Sequence, residues 1–244
     1  MNRIIYILII ILSCNYLVGC IGKLTNLTKN QMEGLIAYYP FNGNANDQSG
    51  NGHNGIVHGA YLTADKFGKP SCAYKFNGID QYIISDVNEL KSSNVWSISL
   101  WVNIDSLNRG GAFALLTSTP AYNADGFWWH FWTDGKVFYR THDDSVGMQY
   151  INEISVPIQT HVWQHHAIII KNNQVVHYLN GIKVFTWNPV FNHALLNSDG
   201  LQLIIGAGYN YENWYFISAS IDNIYVYNRE LSESEIQTLY NKSE

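Results

Sequence analysis

From Leu35 onward the chain is written in short runs rich in β-branched and aromatic residues, each ended by Gly, Asn, Asp or Pro. Such runs read as strands. In the first half they are Leu35–Phe41, Ala73–Phe76, Tyr82–Ile84, Trp96–Ile104 and Ala112–Thr117. The second half adds Gly126–Thr133, Lys136–Thr141, Gln164–Lys171, Gln174–Asn180, Ile182–Trp187, Leu201–Gly206 and Ile217–Tyr227. Asp134-Gly135, Asn172-Asn173 and Asn180-Gly181 sit between consecutive runs, and Asn and Gly tolerate the positive φ that tight hairpins need. Antiparallel strands with almost no helix between them exclude a parallel α/β sheet and predict a two-sheet sandwich or jelly roll. One short helix is predicted near the end. Ser232 and Glu235 form a capping box, and Ile236, Leu239 and Tyr240 then share one face.

The first nineteen residues differ from the rest. Arg3 precedes the apolar run Ile4–Leu12, and the exit reads Leu17-Val18-Gly19-Cys20. A basic start, a short apolar core and a small-residue exit mark a secretory signal, and the run is short for a membrane span. The exit resembles the bacterial lipobox, in which the cysteine receives lipid, so Cys20 is the candidate lipidation site. Residues 20–33 are polar and unpatterned, and read as a flexible tether. Residues 34–244 then form the exported domain. Loss of Arg3 takes the net charge from −5 to −6, which leaves no basic footprint for nucleic acid. Of the three cysteines, Cys14 leaves with the signal and Cys20 carries lipid, so Cys72 is expected to have no internal partner.

Three segments together resemble the concanavalin A-like, laminin-G-like superfamily of bacterial exported proteins. They are Gly34–Gly55 (GLIAYYPFNGNANDQSGNGHNG) continuing into AYKFNGIDQY, then ISLWV with WQHHAIIIKNNQVVHYLNGIKV, and Ile204–Ile236 ending IDNIYVYNRELSESEI. The resemblance implies a concanavalin A-like antiparallel jelly roll spanning about residues 34 to 241. It also implies a structural calcium held by Asp47, in the DQSGNG string, and Asp222, in the last strand. Carbonyls near Asn51 and His53 are further candidate ligands. Oxygen-rich loops suit calcium, while the alternative is a loop of Asx turns whose side chains bond their own backbone.

Phe127-Trp128-Trp129-His130-Phe131-Trp132 is the most unusual stretch. Along a strand Phe127, Trp129 and Phe131 face one way and Trp128, His130 and Trp132 the other. A sandwich strand needs only one apolar face, so the second is a candidate surface for stacking on sugar rings, with Tyr211 and Trp214 beside it. The alternative is that another segment covers it. His165 and His166 are adjacent on one strand and point to opposite faces, which argues against a shared metal ion.

Glucanases of this fold carry Glu-x-Asp-x-x-Glu on one strand, and this chain has no such string; no zinc-protease helix motif or Gly-x-Ser-x-Gly elbow occurs either. The expected function is therefore a non-enzymatic, lipid-anchored module of the bacterial envelope, at the outer membrane or surface, that recognises a glycan or glycoconjugate. Its only tie to the membrane is the lipid. An adhesion module with an envelope protein as partner is the alternative, and a glycan-cleaving enzyme a weaker one.

Overall fold

A computed structural model describes residues 27–91, 93–107, 110–116, 126–131, 136–143, 147–154, 156–189, 200–210 and 213–242. In chain order the strands are β1 (Leu35–Tyr39), β2 (Ile56–His58), β3 (Tyr61–Thr63), β4 (Ala73–Asn77), β5 (Tyr82–Asp86) and β6 (Val95–Ser106). Next come β7 (Gly110–Leu116), β8 (Gly126–Phe131), β9 (Val137–Asp143), β10 (Gly147–Ile154), β11 (Trp163–Lys171) and β12 (Gln174–Leu179). The last are β13 (Ile182–Trp187), β14 (Gln202–Ile205), β15 (Ala207–Asn210), β16 (Asn213–Phe216) and β17 (Ser218–Tyr227). Two helices, α1 (Lys29–Met32) and α2 (Glu233–Asn241), flank them.

The strands form two sheets. The first has eight strands in the order β13-β12-β11-β6-β17-β4-β3, with β1 also paired to β17. The second has nine, in the order β10-β9-β8-β7-β14-β5-β2, with the β15–β16 hairpin attached to β7. The predicted antiparallel sandwich is what the chain forms, and two of the three expected hairpins turn where the sequence placed them, with Asn172, Asn173, Asn180 and Gly181 all at positive φ; Asp134-Gly135 lies outside the described residues. The short edge strands β2 and β3, the long β10 and the β15–β16 hairpin are strands that the pattern of apolar runs did not show.

The core lies between the sheets. Trp96, Ile98, Leu100, Val102 and Ile104 face inward from β6 and meet Phe127, Trp129 and Phe131 of β8. A second cluster lies on the outer side of the first sheet, where Tyr38, Ile169, Tyr225 and Tyr227 pack against Leu231, Ile236 and Leu239. Helix α2 thus covers part of that outer face. Its N-cap is Ser232, with the capping box to Glu235 complete. Burying Ile236 and Leu239 contributes about 1.5–3 kcal/mol each, which holds down a helix too short to be stable alone.

Strand β17 organises both chain ends. One edge pairs with β6; the other pairs with β4 over Ser218–Ile221 and with β1 over Ile224–Tyr227. Asp222 and Asn223 sit at the handover, where the β6 register shifts and Asn223 adopts a φ of 50°.

Two expectations are corrected. The stretch expected as a free tether is docked from Leu27 on. Thr28 caps α1 in a capping box with Gln31, and Leu27 packs against the cluster under α2. The Arg229 guanidinium donates to the carbonyls of Glu33 and Asn30 while pairing with both Glu235 carboxylate oxygens. Cys72, expected without a partner, is fully buried and disulfide-bonded, and its partner lies outside the described residues.

Candidate functional site

The oxygen-rich loop after β1 works as an edge strand made of side chains. Asp47 is nearly buried, and its carboxylate accepts five hydrogen bonds. Oδ1 takes the N–H of Tyr38 and of Ser49, at 2.9 and 2.8 Å. Oδ2 takes the Ser49 hydroxyl at 2.7 Å and the N–H groups of Gly52 and His53 at 3.1 Å. Asn51 Nδ2 donates to the carbonyls of Leu35 and Ile36, and Gln48 N–H to that of Tyr38. The loop therefore takes up the Leu35, Ile36 and Tyr38 carbonyls and the Tyr38 N–H along β1. The His53 carbonyl accepts the Tyr39 hydroxyl at 2.7 Å. Asp222, fully buried on β17, accepts the backbone N–H and side-chain amide of Asn223. These are the contacts of the Asx-turn reading. Both Asp47 carboxylate oxygens thus accept backbone N–H groups, and Oδ2 the Ser49 hydroxyl as well. Among the described residues no group of three or more His, Cys, Asp or Glu side chains converges.

The aromatic strand alternates as expected, but its second face is not open. Phe127, Trp129 and Phe131 are core, and Trp128 and His130 are only 2% and 4% exposed. Trp128 packs with Ile204 and Ala207, ringed by Tyr82, Ile84, Trp214 and Phe216, and the Arg140 guanidinium lies 4.7 Å from its ring centre. The His130 ring meets Phe138 and Tyr215 edge-on. Gly208 lets β15 close over it, because a Cβ there would stand 2.5 Å from His130 Cε1. Burial first, and the Arg140 charge second, push the His130 imidazole down to about 3. The expected sugar-stacking role of Trp128 and His130 is thus corrected: the β15–β16 hairpin covers them. Trp132 and Tyr211 lie outside the described residues.

What reaches solvent on that side is a ladder of stacked rings. His58 and Tyr82 lie 4.3 Å apart at 11°, Tyr82 and Trp214 5.2 Å at 23°, and Trp214 and Phe216 5.9 Å at 13°. Tyr82, Trp214 and Phe216 are half-buried and His58 is exposed. The rings stand side by side on the sheet, so they present rims along the ladder and one open face at His58. Beside it, Ile56 of β2 is 63% exposed.

The neighbouring histidines are structural, and a third joins them that sequence spacing did not reveal. His165 faces outward, bonded to Ser99 Oγ at 2.7 Å and lying against Trp101 and Tyr240. His166 faces inward, its Nδ1 3.0 Å from His177 Nε2, and the Tyr139 hydroxyl bonds His177 Nδ1. His177 comes from the next strand over. The only signal for it was its place on an alternating strand opposite His166. Burial pushes His165 and His177 down to about 3 and His166 well below its usual value, so all three are neutral at pH 7.

These two antiparallel sheets, with β1 and β17 paired side by side, define a jelly-roll domain. The family model described as the concanavalin A-like lectin/glucanases superfamily matches residues 77–237, and the chain belongs to that family. No curated protein sequence matches it. Among solved structures it is similar to domain 4 of AbnA, a GH43 extracellular arabinanase from Geobacillus stearothermophilus, in complex with arabinotriose. That likeness has 23% identity and a TM-score of 0.66 over 85% of this chain and 98% of that one. It is also similar to the binding domain of Paraclostridial Mosquitocidal Protein 1 (20% identity, TM-score 0.63). A third similar structure is the binding domain of botulinum neurotoxin DC in complex with rat synaptotagmin II (20% identity, TM-score 0.63). The similarity covers 86% of this chain and 52% of each toxin domain, about half their length. At these identities the likeness shows the fold.

Proposed function

We propose that the domain is a non-catalytic module that binds carbohydrate or glycoconjugate at the cell envelope. The observation that carries this is the half-exposed ladder His58–Tyr82–Trp214–Phe216, which keeps apolar rings at the surface of a sheet whose core is elsewhere. The open ring face at the His58 end, continued by the apolar rims of the ladder, suits the C–H faces of sugars. The arabinotriose complex of the similar arabinanase domain supports the same reading. A glycan array followed by calorimetry tests it: Trp214→Ala and Tyr82→Ala should weaken whatever glycan the wild type binds. Absence of binding to every polysaccharide offered removes the proposal.

A protein partner is the second reading, favoured by the similar toxin domain whose complex contains synaptotagmin. A pull-down that recovers a protein partner after enzymatic removal of glycans would decide for it.

Anchoring through lipid on Cys20 is part of the proposal. Cys20→Ser should release the protein from the membrane fraction. A lipid-bearing Cys20 thiol cannot also form a disulfide, so mass spectrometry of membrane-extracted, non-reduced protein shows which chemistry the cysteine carries. Calcium is not required by the hydrogen bonding around Asp47, and its proposed staple through Asp47 and Asp222 rests on the chelation experiment described in the Discussion.

A further inference from the structure

Helix α2 covers only part of the outer face of the first sheet, and the part it leaves open is polar. Strand register places five side chains in one row across five strands. Trp163 of β11 stands opposite Asn103 of β6, Asn103 opposite Ser220 of β17, Ser220 opposite Lys75 of β4, and Lys75 opposite Tyr61 of β3. Residues opposite one another share a face. That face is the outer one, because Val102, Ile104, Ala219, Ile221, Tyr74 and Phe76, the chain neighbours of this row, point into the core.

Chemistry in the row is that of a neutral polar ligand. Next to Tyr61 in the row the Lys75 ammonium lies 2.5 Å from Asp105 Oδ1, with both side chains partly exposed, and Ser218 Oγ donates to Asp105 Oδ2 at 3.0 Å. The two charges of this pair offset one another and keep donors and acceptors in place, and the next cation on the face, Lys66, lies over the Trp101 ring. Among the described residues the buried Asn103 Oδ1 has no hydrogen-bond partner, which leaves an unused acceptor in the row. Aromatic rings flank these polar groups: Trp163, half-buried, and Tyr61, 55% exposed. Four strand spacings separate those two rings, about 19 Å. That is the span of a short oligosaccharide rather than of one sugar.

We propose that this row is a second glycan site, on the opposite face of the sandwich from the aromatic ladder. It takes a neutral oligosaccharide lying across the strands, with end sugars against Tyr61 and Trp163 and hydroxyls on Asp105 and Lys75. The assignment rests on the carbohydrate-binding reading above. The test is calorimetry with neutral arabino-, xylo- and cello-oligosaccharides, from di- to hexasaccharide. Tyr61→Ala and Asp105→Asn should each weaken binding of at least one of them about tenfold or more, with tetrasaccharides bound better than disaccharides. Ile182→Ala, exposed on the far edge strand of the same sheet, should bind like wild type. If every oligosaccharide bound by wild type is bound equally by the Tyr61 and Asp105 variants, this site falls and the general function stands. If wild type binds none of them, this site falls, while the carbohydrate reading falls only if the glycan array is blank as well.

Discussion

Tyr38 joins the start of the domain to its end: its N–H donates to Asp47 Oδ1 at 2.9 Å and its hydroxyl to Asn223 Oδ1 at 3.3 Å. Hydrogen bonds through one fully buried tyrosine therefore tie the loop after β1 to β17. Its ring also stacks on Tyr225 at 4.3 Å, which fixes β1 against β17 from the outer side.

Asp47→Ala is expected to destabilise the fold by about 3 kcal/mol or more even in calcium-free buffer. It strips the acceptor from four backbone N–H groups and the Ser49 hydroxyl, and each buried donor left unpaired costs about 1–3 kcal/mol. Urea unfolding of wild type and variant measures this. The calcium staple adds a separable expectation: chelator lowers the wild-type Tm, calcium restores it and magnesium does so poorly. A wild-type Tm indifferent to chelator would remove the ion and leave the hydrogen-bonded loop intact.

Trp128→Ala should cost about 3–5 kcal/mol of stability, the range for truncating a large buried aromatic. The ring is enclosed by Ile204, Ala207 and the β16 aromatics. Chemical denaturation decides the point. A loss below about 1 kcal/mol would mean that the hairpin does not hold the ring closed.

Stability should fall steeply as the medium is acidified below neutrality. His165 and His177 titrate in the fold at about 3, and His166 well below the ordinary imidazole value, because burial disfavours their charged forms. The unfolded chain takes up these protons near pH 6.5, so the unfolded state binds more protons between pH 6.5 and about 3. Their contribution is full above pH 6.5 and is lost progressively through that window, by up to about 1.4 kcal/mol per pH unit for each histidine. Denaturation at pH 7, 6 and 5 should show it, and His166→Asn should flatten the slope by about one proton. A slope unchanged by that substitution would mean that His166 is protonated in the fold.

Arg229→Met should free the segment before β1. It removes the donors to the Asn30 and Glu33 carbonyls and breaks the bidentate pair with Glu235. Trypsin should then cleave after Lys29 markedly faster than in wild type, while the domain core resists. Equal cleavage rates would show that Leu27 and the Thr28 cap hold the segment without the arginine.

Much of this architecture was legible along the chain. Alternating runs gave the strands because one face of each is buried, and Asn and Gly at the hairpins marked where φ turns positive. The Ser232–Glu235 box marked the start of α2, since capping is a local matter of three residues. Strands β2 and β3 escaped because each is a three-residue edge, with β2 wholly exposed and so without alternation to read.

The sequence by itself determined that Trp128 and His130 turn away from Phe127, Trp129 and Phe131, because side-chain alternation is a property of the single strand. Whether that second face meets water was decided by β15 and β16, nearly 80 positions later in the chain, which fold over it. The same division holds for Asp47. Its loop was recognisable as a cluster of carboxylate and amide oxygens, but the donors that fill the carboxylate come from β1 as well as from the loop itself. It holds too for the row from Trp163 to Tyr61, whose members are scattered from residue 61 to residue 220 and meet only through strand register. Local periodicity and capping act within a few residues and can be read from order alone; burial, donor supply and cross-strand neighbours depend on which distant segment arrives, and only the tertiary structure fixes that.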